Sequence, residues 1–365
     1  MRLVLHIGMG KTGTSTLQRT FFLERTKLAA AGVLYPTSQR SSFRHHQALM
    51  CLVAPMELLS REFASLKAAG LHAVRSAGKQ FWDDVVQQID AERPETVVLS
   101  YEALIYLPAQ QISDLRTILA DVFSEVDVVA YVRHPSSYWL ALTQQGVKFT
   151  YAVKPPGAYH NRVSRHLARY VEVFDGKVAA RAFDPLILKD RCIVRDFLAV
   201  HLPEVTFPDA AIDVTNVNES ISAEAMCIMQ DLHRHDALDT TPLHPDESSE
   251  LVRLLALVGT EVEQTTPRLR RGIAEQLVRN HQVELDWLHA QFGMTFPSWT
   301  GDGSAAEAMV PSAGSSELRD VLDVEVAQVE RTMSALLRRL SSRSLALREV
   351  ERGKQPLARG LRRGS

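Results

Sequence analysis

Residues 3–18 read LVLHIGMGKTGTSTLQ, setting Gly8, Gly10 and Gly13 around Lys11 between an apolar run and a stretch of helix formers. That order of residue types builds an anion site. A buried strand turning through a glycine loop into a helix leaves the first amide N–H groups unpaired. They converge where the helix dipole also favours negative charge. Glycine lets this backbone close on a phosphate without Cβ contacts, and Lys11 adds a mobile cation. The chemistry expected is the binding of a nucleotide-like phosphoester.

The spelling of the loop narrows this. A Walker A loop needs G-x-x-x-x-G-K-[ST]. Gly8 and Gly13 have the spacing, but Thr14 stands at the lysine position; around Lys11 the first glycine would have to be Leu5. A lysine two residues before the last glycine, followed by Thr-Gly-Thr-Ser, resembles the 5′-phosphosulfate loop of sulfotransferases that use 3′-phosphoadenosine 5′-phosphosulfate. The resemblance implies that Gly10, Lys11, Thr12, Gly13, Thr14, Ser15 and Thr16 hold the 5′-phosphosulfate as co-substrate, with no metal required.

A second cation follows VDVVAYVR at 126–133, where His-Pro-Ser-Ser-Tyr-Trp comes next. A strand ending in arginine, with Pro135 and Ser136 opening a helix, sets a planar fork suited to a terminal phosphate beside a helix N-terminus. The family resemblance assigns Arg133 to the donor's 3′-phosphate. Its pattern has a serine eight residues further on, where this chain has Ala141; Ser136, Ser137 or Thr143 stands in, with Ser137 taken as the binding hydroxyl. Shorter likenesses to bacterial carbohydrate-type members are Gly32–Pro36, Val98–Glu102, Ala182–Asp184, Asp196–Leu198 and Asn218–Ser220. Together they span roughly residues 1–235.

Sulfuryl transfer to a hydroxyl needs in-line positioning, charge stabilisation on the leaving oxygen and a base. Lys11 suits the charge. For the base, His45-His46 comes first, because related enzymes supply a histidine or glutamate after the second strand and imidazole titrates near neutrality. Neighbours on a helix point about 100° apart, so one of the two faces the site; His46 is preferred. Glu102, ending a strand, is the next candidate. His6 reads as a core histidine, and His233 and His235 as solvated surface. Trp139 and Tyr138 read as packing rather than an adenine platform.

The elements that must position these groups alternate along the chain. Consecutive apolar residues at Leu3–Ile7, Thr96–Leu99, Val126–Val132 and Val178–Phe183 suit strands buried on both faces of a parallel sheet. Helical stretches fall near 14–31, 80–91, 109–122, 136–147, 161–174 and 190–200. The pattern predicts an α/β fold: a P-loop-like, doubly wound parallel sheet flanked by helices, with a helical C-terminal extension and ligands outside the carboxyl ends of the strands. The expected organisation is a core over 1–215 and a helical segment packing on it over 216–296. A Gly/Ser/Ala linker at 297–316, an amphipathic helix at 317–350 and a basic disordered tail at 351–365 follow.

The chain has 365 residues, 45% of them hydrophobic and 23% charged, with a formal net charge of −2. Near-neutral charge gives no general pull toward nucleic acid, so any anion site must be local. No apolar run reaches membrane-spanning length, no signal-peptide pattern opens the chain, and Cys51, Cys192 and Cys227 form no C-x-x-C pair. These features predict a cytoplasmic protein with reduced, buried thiols. The expected function is sulfuryl transfer from 3′-phosphoadenosine 5′-phosphosulfate to a hydroxyl acceptor, such as a carbohydrate or glycolipid. The alternatives are a P-loop kinase or nucleotidase, and a non-catalytic nucleotide-binding protein.

Overall fold

A computed structural model describes residues 1–39, 44–208, 212, 221–238, 245–299 and 316–353. The chain divides into two compact units: one from Met1–Tyr138, His160–Glu219 and Leu277–Ala306, the other from Trp139–Tyr159, Ser220–Gln276 and Glu307–Ser365.

The first unit is an α/β layer. Its elements begin with β1 (Arg2–His6), α1 (Thr14–Leu23), α2 (Arg25–Ala30), β2 (Val33–Leu34), α3 (Leu49–Val53), α4 (Ala64–Ala68), α5 (Leu71–Glu92) and β3 (Thr96–Ser100). After these come α6 (Ala109–Ala120), β4 (Glu125–Val132), α7 (Pro135–Gly146, which enters the second unit), α8 (Val163–Val173), β5 (Val178–Ala182) and α9 (Ile193–His201). All five strands are parallel, in the order β2-β3-β1-β4-β5. The chain therefore passes from β1 to the edge strand β2, returns to insert β3 between them, and then crosses β1 to build β4 and β5 on the other side. The carboxyl ends of β1, β3 and β4 border the crevice where that reversal occurs, the usual ligand position in open parallel sheets.

The apolar runs explain the sheet. Leu3, Val4 and Leu5 are wholly buried, as strands covered on both faces require. One face packs Val4, Val98, Val129 and Tyr131 against Leu17 and Phe21 of α1 and Phe197 of α9. Each buried Leu, Phe or Val contributes about 1.5–3 kcal/mol of transfer free energy. The four strands expected from the sequence are present, each within a residue or two of its predicted bounds. The two-residue β2 and the short α3 and α4 are additional.

Three helix expectations are corrected. The stretch 14–31 is two helices, because Glu24 leaves helical backbone geometry, closes α1 through its N–H to Thr20 and opens α2 with its carbonyl. The helix predicted near 80–91 starts at Leu71, ahead of the apolar period that marked it. The helix placed at 190 begins at Ile193, since Asp190 and Arg191 take positive φ values and Cys192 is extended.

The second unit is helical among the described residues: the end of α7, α10 (Ala223–Leu238), α11 (Pro245–Val258), the start of α12 (Arg271–Asn280), α14 (Leu318–Val321) and α15 (Val326–Gly353). Buried Gln230 ties it together, donating to the Tyr151 and Ser316 carbonyls and accepting from the Leu318 N–H. The helix predicted over 317–350 is broken between Val321 and Val326.

The organisation expected for 216–296 also changes, because α13 (Gln282–Phe292) belongs to the first unit. The reason lies in α8, whose opening amides need acceptors. Just before α13, His281 Nε2 accepts the Asn161 N–H at 2.7 Å, and Glu284 within it accepts the Ser164 N–H at 2.7 Å. Of the predicted linker, 300–315 lies outside the described residues, as do 354–365 of the predicted tail and Asn218–Ser220. His233 is buried, not solvated as expected, while His235 is exposed. Among the described residues no helix is long and apolar enough to cross a membrane.

Candidate anion-binding site

The loop between β1 and α1 is shaped by residues in the left-handed region. Gly8 has φ +51°, Lys11 +64° and Gly13 +76°. At Gly8 a Cβ would lie 3.0 Å from Thr14 Cγ2 and 3.2 Å from Glu102 Cα, so Glu102 and Thr14 flank the loop where only glycine fits. At Gly13 it would meet Ile193 Cγ2 at 3.0 Å. Lys11 has no such freedom, and a lysine held there costs about 1 kcal/mol. Strain of this kind points to a site where geometry serves a ligand.

Gly13 is the N-cap of α1 and supplies no side-chain acceptor. The first-turn amides at Thr14, Ser15 and Thr16 therefore have neither an intrahelical partner nor a capping oxygen, which is the arrangement that receives an anion. The hydroxyls divide. Thr12 turns inward and donates to the Met9 carbonyl at 2.6 Å, closing the loop, and Thr14 is buried. Ser15 is exposed, and Lys11, Gly10 and Thr16 are partly so.

Arg133 meets this loop. From the end of β4 its Nη1 donates to the Lys11 carbonyl at 3.0 Å, and its Nε donates to Ser137 Oγ at 3.2 Å. Ser137 Oγ in turn donates to the His134 carbonyl at 3.0 Å, so this hydroxyl buttresses the guanidinium. The guanidinium also lies 5.7 Å from the centre of the Phe183 ring. Both of these acceptors are neutral oxygens, and among the described residues no carboxylate pairs with it. Burial pushes its pKa down, as expected for a cation short of counter-charge. The two residues singled out by sequence, 122 positions apart, are thus joined through the Lys11 backbone carbonyl.

Of the base candidates, His46 is corrected. It is 2% exposed, and both ring nitrogens are committed to backbone: Nδ1 accepts the Ser100 N–H at 2.8 Å, and Nε2 donates to the Pro36 carbonyl at 2.8 Å. Desolvation lowers its pKa to about 4. It is a neutral strut between the β2 and β3 ends. Nor do the two histidines lie on a helix, since α3 starts only at Leu49. His45 is half-buried and stacks on Tyr101 with ring centres 5.4 Å apart. Burial lowers its pKa, while Glu102 and Glu62 act the other way, which sets His45 within the field of the Glu102 carboxylate.

Glu102 itself is held from below. Gln18, 3% exposed on α1, donates from Nε2 to Ser100 Oγ at 3.1 Å and to Glu102 Oε2 at 3.2 Å. Ser100 Oγ also bonds His6 Nδ1 at 2.8 Å, so His6 is a core histidine, its pKa lowered to about 3 by burial. Sequence reasoning passed over Gln18. Its signal is a lone amide one helical turn after Thr14 on the apolar face of α1.

It also passed over a clamp beside Arg133. His134, 7% exposed, stacks on Trp299 with centres 4.6 Å apart, and Asp184 Oδ2 accepts both the N–H and the hydroxyl of Ser298. The family-like Asp184 and Asp196 are structural: Asp196 accepts from Tyr131, Arg181 and the Lys189 N–H. Ser136 bonds His134 Nδ1 at 2.7 Å. Thr143 and Trp139 belong to the second unit, and Tyr138 is buried.

The arrangement brings together the first-turn amides of α1, Lys11, Arg133 without a carboxylate partner among the described residues, and Glu102 at the loop's edge, with His45 stacked on the adjacent Tyr101. No family model, curated protein or solved structure matches the chain.

Proposed function

We propose that the chain is a sulfotransferase that moves the sulfuryl group of 3′-phosphoadenosine 5′-phosphosulfate to a hydroxyl acceptor. The observation that carries this reading is the meeting of Arg133 with the Lys11 carbonyl: an uncompensated guanidinium set against an amide-lined loop that lacks the Walker lysine. A buried cation without a carboxylate is costly, and a multiply charged anion offsets that cost. The donor presents phosphate at both ends, and the two elements match it.

In this reading the amides of Gly13–Thr16 and the Lys11 ammonium hold the 5′-phosphosulfate. As the acceptor oxygen bonds to sulfur, the bond from sulfur to the 5′-phosphate oxygen breaks and negative charge grows on that oxygen. Lys11 and the amides stabilise the charge in place, where no reorganisation is required. Arg133 binds the 3′-phosphate. The acceptor's proton passes to His45, with Glu102 stabilising the imidazolium, or to Glu102 itself.

Isothermal titration with adenosine 3′,5′-bisphosphate tests the reading. Wild type binds, and Arg133→Ala weakens binding by about 2–5 kcal/mol. Equal affinities remove Arg133 from the site. Magnesium-dependent binding of ATP without binding of the bisphosphate replaces the proposal by the kinase alternative. Bisphosphate binding with no turnover over a broad acceptor panel replaces it by the non-catalytic one.

A further inference from the structure

The second unit contains a cavity of about 180 Å³ that the proposed chemistry does not use. Exposed Leu142 and Ala152 edge it toward solvent, and its four buried apolar walls are Trp139 and Val147, from α7 and the turn after it, with Val153 and Tyr159 from the segment that returns alongside. All four are at most 9% exposed. The indole N–H of Trp139 donates to the Lys154 carbonyl at 3.1 Å and so fixes the returning segment against α7. At the rim the Lys154 ammonium lies 5.7 Å from the centre of the Tyr159 ring.

Gly146 borders the space. It lines the cavity in the last turn of α7, and a Cβ built on it meets no atom within 4 Å. A space of this size is large enough for a benzene ring. Apolar walls with one placed charge are the usual composition of a small-molecule site.

We infer that this cavity binds a single aromatic ring or short branched alkyl group bearing an anionic substituent, the apolar part against Trp139 and Tyr159 and the anion at Lys154. The inference is separate from the donor chemistry and survives its failure.

The test uses 4-ethylbenzoate, its neutral analogue 4-ethylbenzamide, and acetate as the charge without the ring. The readouts are the Trp139 indole N–H cross-peak and titration calorimetry on the full chain. 4-Ethylbenzoate shifts the cross-peak saturably, acetate does not, and the amide binds about two- to fivefold more weakly, as for a partly exposed ion pair. Lys154→Gln abolishes the difference between acid and amide. Gly146→Leu fills the space and removes binding of both, while Gly146→Ala weakens it, each with melting temperature unchanged or raised. Should 4-ethylbenzoate move the cross-peak no more than acetate does, or bind folded Gly146→Leu as tightly as wild type, the inference is overturned.

Discussion

Replacing Arg133 by methionine separates a ligand-binding arginine from a structural one, because only loss of a structural arginine destabilises the free protein and only loss of a binding one removes the ligand's stabilisation. In the free protein the guanidinium makes two hydrogen bonds, to the Lys11 carbonyl and to Ser137. Bonds to a charged group are worth about 1.5–3 kcal/mol each. Against them stands the desolvation of a cation with no carboxylate partner, several kcal/mol after relaxation. Methionine keeps the stem's packing near Phe183, so the two terms nearly cancel and unfolding free energy changes by no more than about 1 kcal/mol. Ligand binding does not share that cancellation: losing the phosphate contact costs about 2–5 kcal/mol, or roughly 30- to 5,000-fold in Kd. Urea unfolding with and without adenosine 3′,5′-bisphosphate reads both effects. At a hundred times the wild-type Kd the ligand stabilises wild type by about 2.7 kcal/mol and the variant by at most about 1 kcal/mol. The reasoning is refuted if Arg133→Met destabilises the free protein by 3 kcal/mol or more while retaining the wild-type ligand shift.

Three further outcomes are expected. Lys11→Gly relieves the φ of +64° and raises stability by up to about 1 kcal/mol, yet lowers kcat by about 10²–10³ as a preorganised charge is lost; a fall in the urea midpoint contradicts the strain argument. His46→Gln lowers the melting temperature without moving the pH profile of turnover, whereas His45→Gln alters that profile. Because burial holds the folded-state pKa of His46 near 4 and that of the unfolded chain is near 6.5, its contribution is complete above pH 6.5 and fades as pH falls toward 4. Urea midpoints measured from pH 7 to pH 5 must therefore decline, and more steeply in wild type than in His46→Gln. Gly78→Ala destabilises by about 1–3 kcal/mol despite alanine's better helix propensity, since a Cβ there would sit 2.6 Å from the Cys51 carbonyl carbon of α3; a calorimetric melt at or above wild type rules out that close approach.

The clamp on His134 explains why the segment after α13 reads poorly from local pattern. Phe296 and Trp299 belong to a segment of low periodicity, and their position depends on Asp184, more than a hundred residues away, accepting from Ser298. The same holds for His281 and Glu284, whose acceptor atoms complete α8. Polar groups near a helix start announce a cap only when they are neighbours in sequence.

By itself the sequence determined four of the five strands of the parallel sheet, because continuous apolar runs such as Leu3–Leu5 and Val128–Val132 are satisfied by burial on both faces. It also marked the glycine loop between β1 and α1, since Gly8 and Gly13 take the left-handed geometry that their residue type permits. The choice between His45 and His46 was left to tertiary structure. That choice turns on the Ser100 amide and the Pro36 carbonyl, 54 and 10 positions away, which claim both nitrogens of His46. The same is true of the Gln18 contact with Glu102, of Ser137 serving Arg133, and of the space beside Gly146. Periodicity records which face of an element is covered; which atom completes a buried hydrogen bond is decided only when distant segments meet.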